Sequence, residues 1–226
     1  MCSIIGYLGD SPAAPILVKG LKRMEYRGYD SVGVATFSGN QILVRKGVGK
    51  VMEVNNTVKL DMLSGKVGIG HTRWATHGTV TEVNAHPHPS SSGKIAIVHN
   101  GIIDNHAELK KDLQEKGYNF KSETDSEAIA NLLQYNFDQT KDIKKSMMQT
   151  ALELKGSYAF VAVFEDGTLS AARLHEPLIV GVGKDGYFIS SDVLGFVEHT
   201  DEVIYPDNRE FIIIDPSGLQ IFDFDG

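Results

Sequence analysis

Apolar residues fall into short runs at both ends of the chain and into helical spacing in the middle. Cys2–Leu8 is a short apolar segment that reads as a strand. Ser11-Pro12 after it offers an N-cap followed by proline at the first helical position. A helix with Leu17, Leu21 and Met24 on one face is predicted next. Ser31–Phe37 and Gln41–Lys46 flank Ser38-Gly39-Asn40, the pattern of a hairpin with a three-residue loop. Lys50–Leu63 carries a weaker helical period. Lys66–Thr72 and Lys94–His99 are strand-like, and Trp74–Gly93 between them has two prolines and no hydrophobic period. A loop of that length inside a compact domain is usually functional or disordered.

Three helices are predicted in the centre. Asn105–Lys116 opens with Asn105 and Glu108 at capping-box spacing and ends at Gly117. Thr124-Asp125-Ser126-Glu127 is a full capping box, opening a helix through Ile129, Leu132, Leu133 and Phe137. Asp142–Lys155 places Ile143, Met147, Ala151 and Leu154 along one face. From Ser157 onward apolar runs are separated by Asp166-Gly167, Asp185-Gly186 and Pro216-Ser217-Gly218, which predicts antiparallel sheet, with a short helix at Val193–Glu198. Strands at both ends around paired central helices imply a layered α+β domain.

Composition narrows the function. The 226 residues are 42% hydrophobic, ample for a sizeable core. A net charge of −7 and the lack of any basic run argue against nucleic acid as a partner. No apolar stretch reaches the roughly 18 residues of a membrane span, and the N-terminus has no basic segment followed by an apolar one. A single cysteine forms no intrachain disulfide, so a reducing cytoplasm is the default expectation.

That cysteine carries the first chemical clue. Removal of Met1 would make Cys2 the first residue, with a free α-amine beside its thiol. A thiol of pKa about 8.5 is a weak nucleophile near neutrality, but an amine of pKa about 7.7–8.0 can act as its general base. The bland alternative is a small apolar residue opening a strand. If the thiol attacks a carbonyl it needs oxyanion donors, and Asn100-Gly101 supplies a side-chain amide and an unshielded backbone N–H; a simple Asn-Gly turn explains the same pair. Arg27-Gly28 can lock the N-terminal residue through a guanidinium contact and a close backbone approach, or can merely end a helix. Arg73, within His71–Gly78, has the bidentate geometry for a carboxylate. Asp125 at a helix start suits either the macrodipole or an ammonium group. Six of the eight histidines lie between His71 and His106, yet no HExxH helix exists and no carboxylate has ligand spacing to His86-Pro87-His88. They read as hydrogen-bonded loop and strand residues, with a histidine metallohydrolase as a rival.

Taken together, these segments resemble the class II glutamine amidotransferases, whose glutaminase domain is an N-terminal-nucleophile hydrolase. The resemblance rests on CSIIGY at Cys2–Tyr7, LKRMEYRGYDSVG at Leu21–Gly33, HTRWATHG at His71–Gly78, Ala85–Pro89, His99–Asp104 and Thr124–Glu127. HTRWATHG and RGYDS are the words of the branch that passes ammonia to a sugar-phosphate isomerase domain. The matching blocks span residue 2 to about 127, and the C-terminal hundred residues agree only in order of elements. Val32 stands where alanine is expected, and Asp104-Asn105-His106 replaces a more usual Glu-Asn-Tyr; neither touches a catalytic position.

The resemblance implies a four-layer αββα sandwich and one glutaminase domain over 1–226, without the isomerase region. It implies Cys2 as nucleophile, Arg27 and Gly28 fixing the N-terminal region, and Asn100 and Gly101 as the oxyanion hole. Arg73 would bind the α-carboxylate of glutamine with Thr76 and His77, Asp125 its α-ammonium, and Trp74 would sit in a loop closing over the substrate. No metal or organic cofactor is expected, and the parent enzyme is expected to be a homo-oligomer. The rival from another class is a non-catalytic glutamine-binding module that regulates a partner.

Overall fold

The structure, a computed structural model, describes residues 2–74 and 78–226. Its elements in chain order are β1 (Ser3–Gly9), α1 (Ala13–Arg23), β2 (Ser31–Ser38), β3 (Gln41–Val48), α2 (Val51–Val58), β4 (Val67–Arg73), β5 (His88–Pro89), β6 (Ile95–Ile103), α3 (His106–Glu115), α4 (Ser126–Thr140), α5 (Ile143–Glu153), β7 (Gly156–Phe164), β8 (Leu169–Leu174), β9 (Ile179–Gly183), β10 (Gly186–Ser190), β11 (Val203–Ile204), β12 (Glu210–Asp215) and β13 (Gly218–Asp223). One-turn 3-10 helices cover Glu25–Arg27, Leu60–Met62 and Val193–Gly195.

The strands form two antiparallel sheets, one in the order β11-β9-β10-β1-β4-β2-β3 and one in the order β13-β12-β8-β7-β6-β5. Strands buried on both faces need apolar residues at successive positions, and β7 (GSYAFVAVF) is such a run. Ile4, Ile69, Val98, Val161, Ile189 and Ile212 fill the space between the sheets. Leu17, Leu21 and Val54, from α1 and α2, cover the outer face of the first sheet. Leu113, Ile129, Leu133 and Met147, from α3, α4 and α5, cover the second. Helix, sheet, sheet and helix therefore stack in four layers, as expected.

Several local expectations are corrected. Gly39 and Asn40 both have positive φ, 58° and 67°, and Ser38 pairs with Gln41, so the hairpin loop has two residues rather than three. Such a loop matches the twist of the flanking strands. α1 starts one residue late, with Pro12 at the cap and no side-chain cap bond. The helix expected over Lys50–Leu63 breaks at Lys59, which adopts a left-handed conformation with φ 56°. Neither predicted capping box forms. Asn105 instead ties α3 to the end of α5, donating to the Glu153 carbonyl at 3.0 Å and accepting from the Lys155 amide at 3.0 Å. The third helix start is capped by Asp142, which accepts from the Lys145 amide.

Candidate functional site

Antiparallel register brings the chain's start to the site. β1 and β4 pair Ser3 with Thr72, so Cys2 lies level with Arg73 and Trp74. The Trp74 amide donates to the Cys2 Sγ at 3.2 Å, and Sγ lies 3.6 Å from the Trp74 carbonyl. Burial pushes the Cys2 thiol up from its ordinary pKa, opposed by the Trp74 amide and the charge of Arg73. A thiol in that position needs a base close by to become a nucleophile.

Arg27, in the 3-10 turn after α1, donates through Nε to the Cys2 carbonyl at 3.3 Å. Its other arm reaches Asp192 at 3.5 Å, and Asp192 also accepts from the Tyr26 hydroxyl at 2.7 Å. Gly28 is extended, and glycine is required there by proximity rather than by φ. A Cβ on it would lie 2.9–3.1 Å from the backbone C, O and N of Arg73 and Trp74, the atoms that flank the thiol.

Asn100 and Gly101 are not a turn. β6 runs through them to Ile103, pairing Asn100 with Ala159 and Gly101 with Tyr158 on β7. Gly101 has φ 114°, and a Cβ there would collide with the Ser157 carbonyl, so only glycine fits. Asn100 is buried, and its Nδ2 donates to the Cys2 carbonyl at 3.3 Å. The second sheet thus touches the residue that precedes β1 of the first sheet.

Arg73 ends β4 with 5% exposure and donates to the carbonyls of Thr79 at 3.2 Å and Gly78 at 3.5 Å. Trp74 is half exposed and meets the Tyr29 ring edge-on at 5.6 Å. Thr76 and His77 lie outside the described residues. Asp125, just before α4, accepts from the Ile103 amide at 2.8 Å, two residues past Gly101, and from the Ser126 hydroxyl at 3.3 Å. It is thereby fixed at the end of β6.

The buried histidines meet side chains, backbone and one another. His71 Nε2 lies 3.0 Å from the His99 carbonyl and 3.1 Å from Asn100 Oδ1. The rings of His71 and His86 meet at 4.1 Å, tilted by 34°, and those of His86 and His88 meet edge-on at 4.6 Å. His88 Nε2 meets the Thr124 hydroxyl at 3.1 Å, and His99 Nδ1 meets that of Ser126 at 2.8 Å. Burial holds all four imidazoles below their ordinary pKa, His71 at about 3.

Sequence reasoning placed Cys2, Arg27, Gly28, Arg73, Trp74, Asn100, Gly101 and Asp125, and the fold gathers them around β1, the end of β4 and the end of β6. It missed Tyr26 and Asp192 as supports of Arg27, and His71 as the partner of Asn100. Asp192 is 165 residues from Arg27, and no local pattern marks such a pairing. His71 opens a recognisable motif, but its contact depends on how the sheets stack.

Comparisons with known proteins bear on the family and the fold. The chain is 44% identical over 225 residues to the glutamine--fructose-6-phosphate aminotransferase [isomerizing] of Pyrococcus horikoshii, covering 99% of this chain and 38% of that protein. It is 50% identical over 218 residues to the enzyme of the same name from Bacteroides thetaiotaomicron, covering 95% and 36%. The chain thus spans little more than a third of the length of these relatives. Among solved structures, the glutamine phosphoribosylpyrophosphate amidotransferase from B. subtilis superposes with a TM-score of 0.85 at 27% identity, covering 99% of this chain and 49% of that one. A thiol at the head of the first strand, beside an arginine and beneath an amide from the facing sheet, is thus framed by a fold shared with such enzymes. Since the family model described as a glutamine amidotransferase domain matches residues 71–197, more than half of its length, the chain belongs to the glutamine amidotransferase domain family.

Proposed function

We propose that residues 1–226 form a glutaminase domain that hydrolyses L-glutamine to glutamate and ammonia through Cys2. Once Met1 is removed, the Cys2 amine takes the thiol proton, directly or through water, and the thiolate attacks the side-chain carboxamide carbon. The tetrahedral oxyanion is held by an N–H of the Asn100 amide and the Gly101 backbone N–H. Collapse expels ammonia, protonated by the same amine, and leaves a γ-glutamyl thioester that water hydrolyses. Arg73 holds the α-carboxylate with Thr76 and His77, Asp125 holds the α-ammonium, and Trp74 flanks the substrate. Arg27 and Gly28 keep Cys2 in register.

The observation that carries this reading is the triple contact on Cys2, from the Trp74 amide, the Arg27 guanidinium and the Asn100 amide. A strand-opening residue of purely structural purpose has no use for a buried amide donor from the opposite sheet. In the relatives' full-length setting we infer that the ammonia passes to a sugar-phosphate isomerase domain, which uses it to convert fructose 6-phosphate to glucosamine 6-phosphate in a cytoplasmic, homo-oligomeric enzyme. No helix among the described residues is long and apolar enough to cross a membrane.

The test is glutamate and ammonia release from glutamine by protein whose N-terminus reads Cys in an intact-mass measurement. Cys2→Ala is expected to abolish turnover while still binding glutamine. Protein retaining Met1, whose base is tied up in a peptide bond, is expected to be equally inactive. Equal turnover by wild type and Cys2→Ala would remove the thiol from the chemistry, and binding without turnover by the wild type would favour the regulatory module.

A further inference from the structure

The Asn100 amide has two ends, and which end faces Cys2 decides whether it can stabilise negative charge. One end meets the Cys2 carbonyl at 3.3 Å, and a carbonyl only accepts, so that end is the NH2. The other end, Oδ1, then faces His71 Nε2 at 3.1 Å. The same nitrogen lies 3.0 Å from the His99 carbonyl, a second acceptor. With two acceptors before it, Nε2 must carry the hydrogen. The Nε2–H tautomer of His71 is therefore dictated by its surroundings, and a flipped Asn100 would set N–H against N–H.

The imidazole has little freedom to abandon this role. His71 sits in the middle of the first sheet's register, opposite Ile4 on β1 and Gly33 on β2. The His86 ring packs against it at 4.1 Å, tilted by 34°. The segment carrying His86 is tied to β3 by Lys46, whose ammonium donates to the carbonyls of Val83 at 3.2 Å, Ala85 at 2.6 Å and Pro87 at 3.2 Å. Gly33 leaves room for the His86 carbonyl where any Cβ would collide with it. Burial keeps the ring neutral, so its single hydrogen stays on Nε2, where both acceptors lie, and Nδ1 carries none.

We propose that His71 is a positioning residue for catalysis: through its Nε2–H it locks the Asn100 side chain with the NH2 turned toward Cys2, setting the oxyanion donor before substrate arrives. This rests on the glutaminase reading above. Preorganised donors of this kind are worth about 10²–10³ in rate when lost, and a donor free to flip forfeits part of that advantage.

The experiment compares glutamate release by wild type, His71→Phe, His71→Gln, Asn100→Ala and the double variant His71→Phe/Asn100→Ala. Alkylation of Cys2 by iodoacetamide serves as a control on the nucleophile. Asn100→Ala is expected to lower kcat by about 10²–10³. His71→Phe should lower kcat by at least about tenfold, with KM and the alkylation rate little changed, and should cost nothing further in the Asn100→Ala background. His71→Gln, which retains an N–H donor, should recover much of the loss. Slow Asn100→Ala with fast His71→Phe, or losses that multiply in the double variant, would overturn the positioning role alone. Wild-type kcat in Asn100→Ala would remove the oxyanion assignment itself and the positioning role with it. A measurement on the unaltered protein stands apart from any folding defect: imidazole 15N shifts should report His71 as the neutral Nε2–H form, and the Nδ1–H form would refute the proposal.

Discussion

At the scale of single residues, the site depends on places where a side chain is forbidden as much as on the side chains present. Gly28 approaches Arg73 and Trp74 closely enough that a methyl group would press on backbone atoms, which cannot rotate away. Those atoms flank the Cys2 sulfur. Gly28→Ala should therefore displace the Arg73–Trp74 backbone by several tenths of an ångström while leaving the core intact. A misplacement approaching 1 Å costs about 10²-fold in rate, whereas overpacking of this size destabilises by about 1–3 kcal/mol. Measured kcat/KM is expected to fall far more than the urea midpoint; wild-type kinetics would mean that the Arg73–Trp74 backbone is not what aligns the thiol. The candidate residues drew notice by type, an N-terminal thiol, Asn-Gly, Arg-Gly and an arginine where a strand meets a polar loop, but each type had a plain structural alternative and the proposed roles came from the family resemblance. His71 was visible as a member of HTRWATHG but not as the partner of Asn100, since that hydrogen bond crosses between sheets and no residue spacing encodes it.

At the scale of elements, strands with turn signals were easy to read and helix starts were not. Asp166-Gly167, Asp185-Gly186 and Pro216-Ser217-Gly218 all mark the turns that join paired strands, β7 to β8, β9 to β10 and β12 to β13, with Gly186 and Gly218 opening β10 and β13. Asn100-Gly101 carries the same local signal and lies inside β6, because β7 offers a full ladder through Gly156 that outweighs the local turn preference. The apparent capping box before α4 is more instructive. Glu127 is buried, and instead of reaching back to an N-cap amide it accepts from the Lys121 amide at 2.9 and 3.0 Å, the Ser122 amide at 2.6 Å and the Ser122 hydroxyl at 2.7 Å. Thr124 meanwhile turns to His88. The carboxylate thus organises the segment entering α4, which carries Asp125. Glu127→Ala would leave three donors to find other partners, each costing about 1–3 kcal/mol if it stays dry; with partial rescue by water, thermal or urea unfolding should show a loss of about 3 kcal/mol. Glu127→Gln, which keeps one acceptor oxygen, should fall between. A loss below about 1 kcal/mol in the alanine variant would show that the segment is held by something else.

At the scale of the whole molecule, stacking two sheets places four imidazoles, His71, His86, His88 and His99, in the interior near Arg73 and Lys46, with Asp125 and Glu176 as the opposing charges acting on His99. Desolvation is the largest influence on each, and it disfavours the charged ring. The consequence for stability has a definite sign. In the unfolded chain these histidines take up protons near pH 6.5, while in the fold their pKa values are lowered, His86 and His88 well below that and His71 to about 3. Between those limits the unfolded state binds more protons, so unfolding becomes easier as pH falls. Each buried ring contributes up to about 1.4 kcal/mol per pH unit within its own window, a sizeable share of the stability of an ordinary domain. The lowered carboxylates Glu123, Glu198 and Asp138 cannot mimic this. Their stabilisation is present above the unfolded carboxylate range and is lost only as pH falls through their folded values, below about 4.5. Urea unfolding followed from pH 7.5 to 5.0 should therefore show a steadily falling midpoint. In His71→Gln, which removes one titrating ring, the fall should be shallower whatever the variant's starting stability. A midpoint that holds level across this range, or an equal slope in the variant, would mean that the histidines between the sheets take up protons without unfolding.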